Sequence, residues 1–295
     1  MYYRQTLASE IELSGIALHS GERVRMRLLP AAPESGIVFR RTDVGGREIP
    51  ARLDQVGPSF YATVIQSEGH SVSTIEHLMA ALYALQVDDL LIEIDGSEVP
   101  ILDGSSKPFV DAILSAGRRE LPVPRQYMTL VRPVEVVKDD KRISAFPCHE
   151  YRVTYAIEFD HPMLGYQELS ASLWGDSAFA EKLAPARTFT FEHEVENLRR
   201  NGLALGGSLD NAVVLGEREP LNGELRFPDE FVRHKMLDLT GDLSLLGRPL
   251  RAHVVAFKAG HDLHAQLARR IWNARSAWHL APWSGESSRT FDATS

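Results

Sequence analysis

One run constrains this chain more than any other: Phe-Val-Arg-His-Lys-Met-Leu-Asp-Leu-Thr-Gly-Asp, from Phe231 to Asp242. On a helix turning about 100° per residue, with His234 as the zero direction, Asp238 falls about 40° away and Asp242 about 80° away. Phe231 lies between the two carboxylates, and Lys235 stands at the edge of the same arc. Val232, Met236, Leu239 and Leu243 trace a different stripe, suited to a core. A soluble helix gathers an imidazole and two carboxylates on one side when a shared partner, a metal ion or a proton, makes their convergence useful. The plain alternative is a solvated polar face carrying i,i+4 pairs. This segment alone leaves both readings open.

The rest of the chain narrows the choice. At 295 residues, 44% of them hydrophobic and 24% charged, the length suits two domains or one large one. A formal net charge of −8 argues against binding nucleic acid through the overall field, but leaves room for a small anionic ligand held by local Lys and Arg. Cys148 is the only cysteine, so no disulfide framework or cysteine-based metal cluster is expected. The N-terminus lacks the apolar region of a secretory signal, and no run approaches the ~18 apolar residues of a membrane helix. The expectation is a soluble cytoplasmic protein without an integral membrane segment.

Along the chain, strands are expected at Ile11–Leu13, Val24–Leu29 and Ile37–Arg40, then a helix over Ser73–Leu85 from its stripe of Ile75, Leu78, Met79, Leu82 and Leu85. A strand at Leu90–Ile94 and a helix at Pro108–Ala116, closed by Gly117, complete the first half. Leu-Pro-Val-Pro at 121–124 breaks both periodicities, which places the domain boundary there. The second half repeats the order: strands at Tyr127–Val137 and Arg152–Phe159, a helix at Phe231–Leu239, a strand at Arg251–Phe257 and a helix at His261–Trp272. Residues 188–215 read as extra material, and 284–295 as a polar, poorly ordered tail.

Ser73 and Glu76 match the capping-box pattern, which gives Glu76 a purely structural reading. His77 follows it, turned toward whatever cleft the first turn of the helix faces. Two imidazoles and one carboxylate form a catalytic zinc shell, and His77, His234 and Asp238 can supply it. Glu76 would then be a general base beside a water acidified by the metal, which makes amide or ester hydrolysis the natural reaction class. His261, after the glycine turn at Gly260, can serve as an acid if Asp242 holds its ring. Two rivals remain: His261 and His264 as surface residues, or as a metal pair of their own. Thr188 can donate to an oxyanion and Phe189 can cover a sugar face. The other histidines read as surface or packing residues, although His19 stands between glycines.

Taken in order, the motifs resemble one family, the zinc-dependent UDP-3-O-acyl-N-acetylglucosamine deacetylases of lipid A biosynthesis. The matching segments are Ser14-Gly-Ile-Ala-Leu-His-Ser-Gly21, Ser73-Thr-Ile-Glu-His-Leu78, Glu98-Val-Pro-Ile-Leu-Asp-Gly-Ser105 and Ala186-Arg-Thr-Phe189. They continue with Gly207-Ser-Leu-Asp-Asn211, Arg233-His-Lys-Met-Leu-Asp-Leu239 and Gly260-His261. The resemblance spans about residues 4 to 270.

It implies an α+β fold of two similar two-layer sheet-plus-helix domains with helices packed at the interface, divided at residues 122 and 123, the second ending near 283. It implies zinc ligation by His77, His234 and Asp238, with iron(II) as an alternative metal. Glu76 is then the base, Thr188 the oxyanion donor, and His261 with Asp242 the charged acid pair. Lys235 and Phe189 contact the UDP-linked glucosamine. The 188–215 insert shapes a passage for the acyl chain, with Leu198, Leu203 and Leu205 as lining residues, although core packing is an equal reading for each. The resemblance places a small amide where this chain has His264, and it implies a cytoplasmic enzyme of a Gram-negative-type bacterium. A zinc amidohydrolase of another acylated amine and a non-catalytic binding protein remain the alternatives.

Overall fold

The computed structural model describes residues 1–173 and 176–283. The polar tail expected at 284–295 lies outside the described residues. Alternation builds the first sheet. In Arg23–Pro30, Val24, Met26 and Leu28 are buried while Arg23, Arg25 and Arg27 are exposed, as period-2 patterning requires. The sheet runs in the order Ile11–Ile16, Arg23–Pro30, Leu90–Ile94, Ile37–Arg41 and Arg47–Pro50. Helices α1 (Glu76–Ala84) and α2 (Lys107–Ala116) follow the strands of this half.

The second sheet has seven strands and centres on Leu250–Phe257, whose alternate residues Leu250, Ala252, Val254 and Ala256 are buried. That strand pairs antiparallel with Lys141–Pro147 and parallel with Tyr151–Glu158. It also touches Gln126–Leu130 in parallel over two residue pairs. The intervening helices are α3 (Asp176–Lys182) and α4 (Glu192–Arg200), followed by α5 (Glu230–Ser244) and α6 (His261–Asn273). The result is the expected α+β arrangement, a helix, a strand and a helix closing each half. One continuous apolar core runs through both. We propose the division near residue 122 as the boundary between two units that share this core.

Three local expectations fail. Leu121–Pro124 does not interrupt regular structure: it is the end of the strand Arg118–Pro124, which pairs antiparallel with Tyr3–Leu7. Prolines are tolerated there because a two-stranded ribbon leaves alternate N–H groups unpaired. The single strand expected over Tyr127–Val137 is two strands, Gln126–Leu130 and Val134–Lys138, with Pro133 in the gap. The capping box does not form either. Ser73 bonds Ser97 through both its N–H and its hydroxyl, and α1 begins only at Glu76. Thr74 precedes it at φ +56°, a left-handed turn that swings the chain out of the strand direction.

What positions the site is the packing of α1 along α5. Both helices are buried nearly all round, so the polar arc of α5 is not a solvated face. They touch at Gly241, where an added Cβ would overlap the Glu76 carbonyl and come within 3.0 Å of its Cα. Only a residue without a side chain allows this approach, and it sets Glu76 and His77 beside the polar arc of α5.

Candidate functional site

Glu76, His77, His234, Asp238 and Asp242 are each between 2% and 4% exposed. Burying that many ionisable groups is costly unless they are paired or share a cation. They divide into two clusters.

In the first, the ligand atoms of His77, His234 and Asp238 all lie within 4.8 Å of one another. His234 Nδ1 is 3.1 Å from the Ala186 carbonyl and donates to it, which leaves Nε2 as a bare lone pair. Burial lowers the His234 pKa to about 4 against the opposing pull of Asp238, so the ring is neutral, the form that ligates metal. Asp238 Oδ1 lies 3.3 Å from His234 Nε2 and 3.6 Å from His77 Nε2, yet it is buried with no hydrogen-bond partner. An unpaired carboxylate oxygen facing an imidazole lone pair is the donor set of a divalent cation, and the residues fit one. The Ala186–Phe189 segment is held against α5 by Glu230, which accepts from the Arg187 backbone N–H at 3.0 Å and from its guanidinium at 2.9 Å.

The second cluster is a proton network. His261 Nδ1 and His264 Nδ1 each lie 2.7 Å from the same atom, Asp242 Oδ2. Three atoms of this group also satisfy a metal-ligand spacing. Two nitrogens at 2.7 Å from one carboxylate oxygen are nonetheless N–H donors rather than ligands. Both histidines are buried, which removes the surface reading and, with this geometry, the separate metal pair. Burial alone would lower the His261 pKa, but the charge and hydrogen bond of Asp242 outweigh it and raise it to about 9. Burial alone would raise Asp242, and the two histidines bring it to about 2. Glu76 is raised by burial, with His261 and His77 opposing, and its Oε1 lies 4.0 Å from His261 Nε2.

Thr63 joins the two sets. Its backbone N–H donates to Glu76 Oε2 at 3.0 Å, and its hydroxyl donates to Asp242 Oδ1. Nothing in the sequence singled it out, because it lies in an irregular loop with no periodic or motif context.

The model of the UDP-3-O-acyl N-acetylglycosamine deacetylase family (LpxC) matches residues 4–273.

The chain belongs to this family.

Among curated relatives, a UDP-3-O-acyl-N-acetylglucosamine deacetylase of Syntrophotalea carbinolica is 48% identical over 97% of this chain and 93% of its own. Its counterpart in Myxococcus xanthus is 45% identical over 95% and 90%. That of Teredinibacter turnerae is 40% identical over 97% and 95%.

Around the first cluster of this deacetylase-family chain, Lys235 Nζ lies 3.1 Å from Asp238 Oδ2 and 5.6 Å from the centre of the Phe189 ring. Phe189 packs on Phe231 at 4.9 Å and lies 6.4 Å from the His234 ring. Thr188 is pinned by its backbone between the Gly104 carbonyl and the Val213 N–H, both at 2.8 Å. Its hydroxyl has no hydrogen bond among the described residues. Leu198 and Leu203 are half-buried and stand outside the main apolar core, and Leu205 is 52% exposed. The insert carrying them docks on the loop of His19, with Leu205 N–H donating to the His19 carbonyl and Gly206 N–H to that of Leu18. His19, read in the sequence as an ordinary residue, accepts the Ala204 N–H at Nδ1 and keeps a buried, unpartnered Nε2. A separate cleft of about 700 Å³, lined by Arg4, Tyr83, Arg125 and Arg248, lies toward the C-terminal ends of α1 and α5 and contains none of these groups.

Proposed function

We propose that this chain hydrolyses the N-acetyl group of a UDP-3-O-(3-hydroxyacyl)-N-acetylglucosamine, releasing acetate and the free amine. His77, His234 and Asp238 would hold one zinc ion, and the same His₂Asp set also accepts iron(II). When bound, such an ion supplies a Lewis acid that acidifies water and polarises an acyl carbonyl.

The chain's own groups do the rest. Glu76 takes the proton of the attacking water, a task suited to a carboxylate whose basicity burial has increased. Thr188 donates its hydroxyl to the carbonyl oxygen as negative charge develops there. His261, kept protonated by Asp242, gives its Nε2 proton to the nitrogen as the C–N bond breaks. Lys235 and Phe189 contact the sugar and nucleotide, and Leu198 and Leu203 line the path of the acyl chain.

The observation that carries this reading is the unpaired Asp238 oxygen between two imidazoles, set beside a carboxylate and an imidazole 4.0 Å apart. Family membership selects the substrate. No helix among the described residues is long and apolar enough to cross a membrane, and we place the enzyme in the cytoplasm of a Gram-negative-type bacterium.

The test is acetate release from UDP-3-O-(3-hydroxymyristoyl)-N-acetylglucosamine before chelation, after it, and after one equivalent of zinc is returned. Activity should vanish and come back. Folded, metal-loaded protein that releases no acetate would overturn the proposal.

A further inference from the structure

His264 is a buried polar group beside the site that the proposed reaction does not use. It is fully buried, and both of its ring nitrogens are engaged. A histidine present only to fill space would not hold two polar neighbours at a fully buried position. Nδ1 donates to Asp242 Oδ2 at 2.7 Å, and Nε2 lies 3.0 Å from the Tyr155 hydroxyl. Tyr155 is itself buried and donates to the Ala259 carbonyl at 2.7 Å, two residues before His261. Its single proton goes to that carbonyl, so the tyrosine braces the backbone that presents His261 and packs edge to face, at 5.9 Å between ring centroids, against the imidazole that grips its carboxylate partner.

Asp242 receives three donors, Thr63 on Oδ1 and the two imidazoles on Oδ2. A carboxylate on a helix rotates freely about its last bond unless its oxygens are fixed from more than one side. Thr63 comes from the loop before α1 and His264 from α6, so the plane of the group is clamped between separate elements.

We propose that His264, braced by Tyr155, is a positioning residue that fixes the Asp242 carboxylate so that His261 Nε2 faces the side on which Glu76 lies. His264 touches neither Glu76 nor the His77, His234 and Asp238 cluster in any hydrogen bond among the described residues. Its hydrogen-bonded path to His261 runs through Asp242, and the two imidazoles also stand edge to face with centroids 6.0 Å apart. The inference rests on the deacetylase reading of the site.

The experiment uses the full-length, metal-loaded enzyme and three variants. His264→Leu keeps buried bulk and removes the donor. Its kcat should fall ~10- to 100-fold, the worth of a hydrogen bond to a charged group, with KM within about twofold. His264→Asn places an amide nitrogen where Nδ1 stood and should recover most of that loss. Tyr155→Phe should cost about three- to tenfold, again in kcat. Equal kcat for the Leu and Asn variants, both folded and metal-loaded, would overturn the proposal, as would a loss confined to KM. Nitrogen-15 spectra of the wild-type imidazoles provide an arm that needs no turnover: His264 should carry its proton on Nδ1, and a bare Nδ1 overturns the proposal. A wild-type enzyme inactive on the UDP substrate would strike the proposed function while leaving this spectral result standing.

Discussion

Gly241 on α5 and Glu76 on α1 meet backbone to backbone, with no room for a methyl group between them. The contact lies one turn from Asp238 and one residue from His77, so it sets the distance between the halves of the candidate metal site. Helices that pack through larger side chains keep axes 8–10 Å apart. Here a glycine in mid-helix accepts about 1 kcal/mol of lost helix propensity to bring two backbones together.

Gly241→Ala is therefore expected to push α1 and α5 apart. Overpacking of this kind costs about 1–3 kcal/mol. The expected result is a lowered melting temperature together with weakened metal retention on dialysis. A variant with wild-type melting and full metal content would show that the contact is not needed.

Asp238→Asn removes the charge of the unpaired oxygen while keeping its shape. A neutral amide loses the ion pair that Lys235 Nζ makes with Oδ2 at 3.1 Å, so the metal-free fold should lose stability. Metal content after dialysis, read by elemental analysis, should fall well below one per chain. Retention of stoichiometric metal would remove Asp238 from the ligand set.

Glu76→Gln and Thr63→Val separate the base from its holder. The first should lower kcat at least ~100-fold, the usual scale for general acid–base catalysis. The second keeps the backbone N–H that Glu76 uses and deletes the hydroxyl on Asp242, so a loss of roughly tenfold is expected. Steady-state kinetics on the metal-loaded variants decide it, and near-wild-type turnover by Glu76→Gln would end the general-base role.

His261 makes stability depend on pH. Its folded pKa of about 9 lies above the ordinary histidine value of 6.5. Its imidazolium therefore contributes fully below pH 6.5, and the contribution is lost as pH rises through about 9. Asp242, held at about 2, is the other half of the same pair, and its share is lost only as pH falls toward that value. In metal-free protein, urea unfolding of wild type and His261→Asn should differ by a few kcal/mol at pH 6.5 and by much less at pH 9.5. A difference that does not change with pH would mean the buried pair is not charged.

The alternation in Arg23–Pro30 and the 3.6-residue period of α5 are properties of the chain itself. Each follows from backbone geometry that acts over a few residues, so His234, Asp238 and Asp242 could be placed on one arc before any tertiary contact was known. The order of motifs carried the family for a similar reason, since order along the chain survives folding unchanged.

Other features were decided by contacts between residues far apart in sequence. Ser73 and Glu76 obey a local capping rule, yet Ser97 claims Ser73 and Thr63 claims Glu76, because a buried carboxylate gains more from that N–H than a helix end gains from a cap. The polar arc of α5 was open to a solvated reading until α1 closed over it. A surface placement of His264 stayed open in the sequence until Tyr155 and Asp242 enclosed it. The chain by itself determined which groups share a helix face and which family they belong to. Only the tertiary structure decided which of them are buried and which share a proton, because burial and pairing depend on neighbours that the local pattern does not encode.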